Sequence, residues 1–293
     1  MSRRGAPLLL PRQDGRRFVV TGGSSGLGEA TAGALARGGA HVVLAVRDVE
    51  RGMAAAARMT GSVEVVRLDV SDLSSVRDFV DSWQGGIDVL VNNAGVMGLA
   101  AARSVDGHEL QMATNHLGHF ALTLGLLDRI TDRVVVLGSQ AHRNARLDPS
   151  DLDMDRAGYD PYIAYANSKL ANLLFMAELQ RRLTVARSPL RVTGAHPGYT
   201  ATKIMRSTGN RAFNLVATIG NATVGMSPAR GARIVLSAAV LDVPGNTYLG
   251  PDGPMQLWGS PVPVGRSGAA GDHDLAKEVW AASEEATGVR WPL

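Results

Sequence analysis

Residues 18–28 read FVVTGGSSGLG, and this stretch decides the fold of the chain. Its first three residues predict a short buried strand, and the strand ends in a loop with four glycines. Residues 29–37 follow with apolar side chains at helical spacing and stop at a glycine pair, after which 41–46 is a second apolar run. Strand, glycine turn, helix and strand make one βαβ unit, which is the building block of a parallel sheet.

The same alternation continues along the chain. Apolar runs predict further strands at 63–68, 87–91, 133–137 and 190–194, and periodic segments predict helices at 71–83, 107–127, 162–183, from 227 onward and at 274–286. Continuous apolar strands are typical of a parallel sheet that is covered on both faces. We therefore predict one α/β domain over 1–293, a Rossmann-type doubly wound sheet in three layers that binds its ligands at the carboxyl ends of the strands.

Two segments fall outside this alternation. Residues 1–14 predict an N-terminal arm that packs onto the domain. Residues 199–227 carry apolar side chains without a clean helical period, and they follow the end of a predicted strand. Because ligands bind at that edge of such sheets, we interpret 199–227 as a helical lid over the substrate.

The composition excludes several classes of protein. None of the 293 residues is cysteine, which excludes a disulfide scaffold, a cysteine zinc site and thiol catalysis. The net charge of +3, from 30 basic and 27 acidic residues, is too small to indicate nucleic-acid binding. The sequence has no run of 18 apolar residues and no signal-peptide pattern, so we expect a cytoplasmic protein without a membrane anchor.

The glycine loop at 21–28 is typical of a dinucleotide site. Glycines let the backbone approach a pyrophosphate, and the exposed N–H groups at the start of the next helix bind the anion. Methyltransferases carry similar loops, so it is the strand before and the helix after this loop that favour a dinucleotide.

The end of the second predicted strand selects between the two nicotinamide cofactors. An acid at this position accepts from the ribose 2′-hydroxyl of NAD, whereas an arginine pairs with the 2′-phosphate of NADP. This chain has Arg47 there, and the preceding Val46 offers no acceptor. Arg47 therefore favours NADP(H) over NAD(H), the alternative being an ordinary surface arginine.

Tyr165 and Lys169 are four residues apart in a predicted helix, so their side chains share one face. A nearby ammonium favours the phenolate and should lower the pKa of the tyrosine from its usual value of about 10. A tyrosine with a lowered pKa can act as an acid or base at neutral pH. A surface pair is the alternative, but only three of the basic residues are lysines, which favours a specific role for Lys169.

On these residues the chain resembles the short-chain dehydrogenase/reductase family, and in finer features its retinol-dehydrogenase-like branch. Besides the loop at 21–28 and the pair Tyr165 and Lys169, it has Asn92-Asn93-Ala94-Gly95 after one predicted strand, Ser139 after the next and Pro197-Gly198 after a third. Residues 140–164 lengthen the segment between Ser139 and Tyr165 relative to many short-chain reductases. We interpret them as an insertion beside the substrate mouth.

The resemblance implies a role for each matching residue. Tyr165 would exchange the proton with the substrate oxygen and Ser139 would hydrogen-bond that oxygen. Lys169 would hold the nicotinamide ribose, and Asn115 would order a water that links Lys169 to solvent. The implied cofactor contacts are Gly22, Ser24, Ser25, Gly26, Leu27 and Gly28 in the loop, Arg47, Asp69 and Val70 around the adenosine, Asn93, Ala94 and Gly95 at its ribose, and Pro197, Gly198, Thr200 and Thr202 at the carboxamide and phosphates, together with Tyr165 and Lys169.

We therefore expect an NADP(H)-dependent oxidoreductase that transfers hydride between nicotinamide and the carbonyl or alcohol of a moderately apolar small molecule. Two alternatives stay open: a non-catalytic NADP-sensing protein, and an enoyl reductase or epimerase on the same fold. We predict no metal site, because His116, His119, His142 and His196 lie inside motifs of the resembled branch without metal-ligand spacing. The resemblance is compatible with a homodimer, a homotetramer or a monomer.

Overall fold

The computed structural model describes residues 11–156, 158–199 and 226–292 of the chain. Within these ranges one sheet of eight strands runs in the order β3-β2-β1-β4-β5-β6-β7-β8. Its strands are β1 (Arg17–Thr21), β2 (His41–Val46), β3 (Ser62–Arg67), β4 (Ile87–Asn92), β5 (Ile130–Leu137), β6 (Arg191–Ala195), β7 (Tyr248–Pro251) and β8 (Pro261–Pro263). The predicted doubly wound α/β fold is confirmed.

Helices cover both faces of this sheet. Over the described ranges they are α1 (Gly26–Arg37), α2 (Val49–Ala56), α3 (Leu73–Ser82), α4 (Leu110–Met112), α5 (Gly118–Gly125), α6 (Pro161–Val185), α7 (Pro228–Val240) and α8 (His273–Thr287). One core lies between the sheet and α1, α2 and α7, and the other lies between the sheet and α3, α5, α6 and α8. The result is three layers, with apolar strands buried on both sides.

The strand order reverses between β1 and β4. β1 pairs in parallel with β2 on one side and with β4 on the other, so the connections leave β1 and β4 in opposite directions. The loops after β1, β4, β5 and β6 therefore open at the same edge of the sheet, and a crevice forms where the order reverses.

The far edge of the sheet differs from the prediction. β7 pairs in parallel with β6, but β8 runs antiparallel to β7, and the sequence patterns predict neither strand. β7 has only four residues, and β8 has proline at both ends. Proline cannot donate to a ladder, so β8 fits only at an edge, and such a short strand leaves no apolar run to recognise. Helix α2 is missed as well, because it buries only Gly52 and Ala55.

The predicted helix at 107–127 is shorter and interrupted. α4 begins at Leu110, because the Glu109 carboxylate accepts hydrogen bonds from the amides of Gln111 and Met112 at 2.9 and 2.6 Å. A π-helical turn at Ala113–Leu117 joins α4 to α5 and contains Asn115. Such turns occur often at functional sites, because they change the direction of single side chains.

Several predicted segments lie partly outside the described residues. Residues 1–10 of the arm and 200–225 of the lid, with Thr200 and Thr202, are among them. The insertion at 140–164 contains two short 3₁₀ turns, at Gln140–Asn144 and Pro149–Asp151, before α6 begins. In the part of the chain that the structure describes, no helix is long and apolar enough to cross a membrane.

Candidate active site

The glycine loop lies between the end of β1 and the start of α1. Gly28 has no room for a side chain, because a Cβ there would lie 2.5 Å from both Asn93 Nδ2 and the Gly22 carbonyl oxygen. Ser25 is the N-cap of α1, and its side chain accepts no capping hydrogen bond within the described structure. The amides of the first turn are therefore available to an anion at the start of a twelve-residue helix.

Thr21 joins this loop to the end of β4. Its hydroxyl oxygen accepts hydrogen bonds from the amides of Asn93 and Ala94, both at 2.9 Å, and the Asn93 side chain donates to the Thr21 carbonyl at 2.7 Å. Asn93, Ala94 and Gly95 therefore lie beside the glycine loop. The buried Oδ1 of Asn93 has no partner within the described residues, so it is an acceptor available to a ligand hydroxyl.

Arg47 and Asp69 follow β2 and β3 at the same edge. The Arg47 side chain is 75% exposed, and its Nε lies 3.9 Å from Asp69 Oδ2. Oδ1 of Asp69 accepts from the amide and the hydroxyl of Ser71 at 3.0 and 2.6 Å. Asp48, the acid next to Arg47, caps α2 by accepting from the Arg51 amide. Within the described residues the one ion pair of Arg47 is this long contact with Asp69, which stabilises little, so the exposed guanidinium can engage another anion.

Helix α6 carries the tyrosine and the lysine. It begins at Pro161, where the Asp160 carboxylate accepts from the amides of Tyr162 and Ile163 at 2.8 and 2.9 Å. One turn further on, Tyr165 lies beside Ser139, whose side chain favours the phenolate. Burial raises the pKa of Tyr165 above its usual value, and the hydrogen bond with Ser139 acts in the opposite direction.

The net pKa shift of Tyr165 is upward, whereas the sequence predicted a lowered pKa, because burial outweighs the groups that favour the phenolate. Lys169 Nζ lies over the tyrosine ring, 5.7 Å from its centroid, and donates to the Leu137 carbonyl at 3.1 Å. The ammonium therefore faces the ring and the end of β5, away from direct contact with the hydroxyl. Burial lowers the pKa of Lys169 to about 8.

Ser139 follows β5 and begins the 3₁₀ turn at Gln140–Asn144. Its hydroxyl oxygen accepts from the Ala141 amide at 3.2 Å, which fixes the side chain and leaves its proton to donate. With Tyr165, it places two hydroxyl groups together above the end of β5. Such a pair can hold and protonate one substrate oxygen.

Asn115 links three parts of the site. Its side chain accepts from the Val96 amide at 2.8 Å, and donates to the Val96 carbonyl and to the Ser168 hydroxyl at 2.9 Å each. The loop after β4, the π turn and α6 are therefore held together. The Asn115 carbonyl lies 3.1 Å from His119 Nδ1, while His119 Nε2 lies 2.9 Å from the Thr21 hydroxyl.

The structure thus brings together most of the predicted site residues. The exceptions are Thr200 and Thr202, which lie outside the described residues, and Pro197-Gly198, which continues from β6 toward them. Gly198 donates to His196 Nδ1 at 3.3 Å, and Tyr199 donates to the Leu257 carbonyl at 2.9 Å. Over the described ranges no group of three or more candidate ligands could hold a metal.

Sequence reasoning missed two contributors. The Gln256 side chain contacts both His196 and Gln140 beside Ser139. No motif announces it, because the contact joins residues 60 and 116 positions apart and depends on the local backbone at Gln256, where φ is +56°. His119 could have been found, since its spacing of four from Asn115 in a helix predicts a contact.

Comparisons with known proteins show what this chain is similar to. Residues 16–148 match the family model described as short chain dehydrogenase. A Streptomyces lividans protein named "Probable oxidoreductase" is 41% identical over 219 residues, 71% of this chain and 73% of that protein. Human retinol dehydrogenase 13 is 35% identical over 301 residues, 95% of this chain and 86% of that protein. The crystal structure of an uncharacterised protein from Mycobacterium paratuberculosis superposes with a TM-score of 0.84, at 48% identity and 97% coverage of both chains.

Proposed function

Since this chain belongs to the short-chain dehydrogenase family, in its retinol-dehydrogenase-like branch, and is an oxidoreductase of that family, we propose that it is an NADP(H)-dependent enzyme that interconverts a carbonyl and an alcohol. The observation that carries the proposal is that the Ser139 and Tyr165 hydroxyls lie beside each other, with Lys169 Nζ 5.7 Å from the centroid of the tyrosine ring. Both lie at the edge of the sheet where the glycine loop opens.

The family uses a nicotinamide cofactor, and the residues present fit one. The amides at the start of α1 suit the pyrophosphate, the unpartnered Asn93 Oδ1 suits a ribose hydroxyl, and Lys169 lies deeper in the site. When bound, the nicotinamide supplies or accepts the hydride. Arg47 supports NADP(H), because its exposed guanidinium lies where a 2′-phosphate needs a cation.

The chain's own groups handle the proton. Because its pKa is raised, Tyr165 carries its proton at neutral pH and can donate it to a carbonyl oxygen that the Ser139 hydroxyl holds. Lys169, with a pKa of about 8, is mostly charged at pH 7, so it favours the phenolate that remains after the donation. In the oxidising direction the same groups take the proton from the alcohol.

The substrate that we propose is a moderately apolar carbonyl or alcohol. Met255 and Trp258 support this, since they are exposed apolar side chains on the turn that also bears Gln256, the neighbour of the site. The two alternatives from the sequence, NADP sensing without catalysis and enoyl reduction or epimerisation, make different use of Tyr165. A sensor does not need neighbouring hydroxyls on Ser139 and Tyr165, so their proximity supports the enzyme.

The test is incubation of the purified chain with NADPH and, separately, NADH, with a panel of ketones, aldehydes and enones. Loss of absorbance at 340 nm follows oxidation of the cofactor. We expect ketones or aldehydes to be reduced faster with NADPH. Consumption with enones alone would identify an enoyl reductase, and tight NADPH binding without turnover of any compound would favour the sensor.

A further inference from the structure

The side chain of Tyr248 extends from β7 to Gly138, the residue before Ser139. Tyr248 starts β7, opposite Gly194 of β6, and is 2% exposed. A Cβ at Gly194 would lie 2.9 Å from its ring, and a Cβ at Gly138 would lie 2.6 Å from its hydroxyl oxygen. The absence of side chains at these two glycines therefore lets the tyrosine reach across β6 to the end of β5.

The hydroxyl of Tyr248 has no hydrogen-bond partner in the described part of the chain. Two imidazoles contact its ring, but their nitrogens are engaged elsewhere. His142 bonds the Ser139 carbonyl and accepts from the Ser267 amide at 3.1 Å, and His196 bonds Gln256 Oε1 at 2.9 Å and accepts from the Gly198 amide. A phenylalanine would fill the same space without leaving a buried hydroxyl unpaired. We therefore expect the hydroxyl to bind a group outside the protein chain, such as a water molecule.

The surroundings of the Tyr248 hydroxyl indicate the role of the group that it binds. Gly138, against which the hydroxyl lies, stands between Leu137 and Ser139. The Leu137 carbonyl accepts from Lys169 Nζ, and the Ser139 side chain lies beside the Tyr165 hydroxyl. Burial raises the pKa of Tyr248, and the charge of an ionised Tyr165 raises it further.

We propose that Tyr248 is a positioning residue that donates a hydrogen bond to one ordered water, which in turn donates to the Tyr165 oxygen. With its lone pair engaged by that water, the Tyr165 hydroxyl directs its own proton toward the substrate oxygen. The same water stabilises the phenolate once the proton has left. This inference rests on the proposed function, since it assigns Tyr165 as the proton donor.

The first test is Tyr248→Phe in the full chain. Loss of one hydrogen bond to an ionised group should lower kcat by about tenfold or more. The pH at which Tyr165 ionises in the kcat profile should rise, because the phenolate loses a donor. The Kd for NADPH should stay the same, and the thermal midpoint should be unchanged or higher, since the hydroxyl removed has no partner among the described residues.

Tyr159→Phe is the matched control. The Tyr159 hydroxyl donates to the Leu99 carbonyl at 2.9 Å and accepts from Gln111 Nε2 at 2.9 Å. Its removal should lower the thermal midpoint and leave the kcat profile in place, which is the reverse of the pattern expected for Tyr248→Phe.

A crystal structure of the wild-type chain at a resolution that shows waters gives a readout without turnover. The inference expects a water within hydrogen-bond distance of both tyrosine oxygens, and its loss in Tyr248→Phe. It is overturned if Tyr248 bonds a protein group instead, or if Tyr248→Phe keeps the wild-type kcat and pH profile. If the wild type reduces no carbonyl compound, the proposed function fails. The presence or absence of the water between the two tyrosine oxygens would still test the role of Tyr248.

Discussion

At the scale of single residues, burial shifts the pKa values of Tyr165 and Lys169 in opposite directions. Desolvation disfavours the charged form of each group, so it raises the pKa of the tyrosine and lowers that of the lysine to about 8. Near neutral pH the tyrosine is therefore protonated, and the lysine is still mostly charged. This pairing suits donation of a proton to a carbonyl better than its removal from an alcohol.

Tyr165→Phe tests the assignment of the proton donor. The change removes the hydroxyl and keeps the ring under Lys169, so turnover should fall by roughly 10²–10⁴-fold while NADPH affinity stays almost the same. Tyr162→Phe is the control, since that tyrosine is 50% exposed on the same helix. Steady-state rates with the best carbonyl of the panel measure the effect. Retention of more than about a tenth of wild-type turnover would remove Tyr165 from this role.

Arg47→Ala tests the choice of cofactor. A charge-assisted contact with the 2′-phosphate contributes about 1.5–3 kcal/mol, or roughly 10- to 150-fold in affinity. NADPH should bind weaker by that factor and NADH should be little altered, as measured by fluorescence titration of both cofactors. Arg51→Ala, another exposed arginine one turn into α2, should change neither. Equal losses for both cofactors would show that Arg47 serves the fold.

The structure also selects the variant that should reverse this preference. An aspartate at Val46 would give the ribose an acceptor, but Val46 is 2% exposed and packs against α2. A carboxylate there would be buried without a partner. Arg47→Asp places the same acceptor on an exposed side chain, where it should repel the phosphate of NADPH and improve NADH relative to NADPH.

At the scale of elements, the sequence predicts what has a long apolar pattern. β1 to β6 and the helices α1, α3, α6, α7 and α8 each carry a recognisable apolar run or stripe, and the bounds predicted for them fall within a few residues of the observed ones. β7 and β8 are short, and their pairing depends on neighbours far away in the chain. The π turn around Asn115 was not predictable, since no residue type marks it. Most site residues could be predicted from the sequence, because they follow a predicted strand or lie in a predicted helix.

Asp160→Ala tests how the start of α6 supports the site. Loss of an N-cap that serves two amides should lower the free energy of unfolding by about 1 kcal/mol. Because Tyr165 is in the next turn, fraying should also lower kcat. Asp72→Ala is the matched control, since Asp72 caps α3 by accepting from two amides, Ser74 and Ser75. We expect both variants to lose similar stability in urea and only Asp160→Ala to lose activity. Equal kcat values for the two variants would show that the N-cap of α6 does not support the site.

At the scale of the whole molecule, the C-terminal helix completes the core beneath α6. Trp280 of α8 is 2% exposed and stacks on Phe175 of α6 at 5.8 Å, with the Arg182 guanidinium 4.2 Å from its ring centroid. Ser283 of the same helix lies 2.8 Å from His116 Nε2. Helix α8 therefore covers a face of α6, and connects it to the segment that carries Asn115.

This burial fixes the response of the fold to acid. Burial lowers the pKa of His116, His119 and His196 to about 4, against 6.5 in the unfolded chain. A group whose pKa is lowered by folding stabilises the native state above its unfolded pKa and loses that contribution as the pH falls. Each histidine should therefore lose about 2 kcal/mol between pH 8 and pH 5. His108 acts in the opposite direction, because its hydrogen bond with Asp153 raises its pKa and adds stability only at lower pH.

The sum predicts a chain that unfolds in mild acid. Three buried histidines outweigh one half-buried ion pair, so the urea midpoint should fall steadily from pH 7 to pH 5. His116→Gln separates this effect from general acid sensitivity. The variant should be less stable than wild type at pH 8, since it disturbs the bonds to Asn172 and Ser283, but its stability should fall less steeply with pH than that of wild type, because one of the buried titrating groups is gone. A midpoint that stays level down to pH 5 would mean that the imidazoles gain protons without unfolding, and hence that water reaches them in the native state.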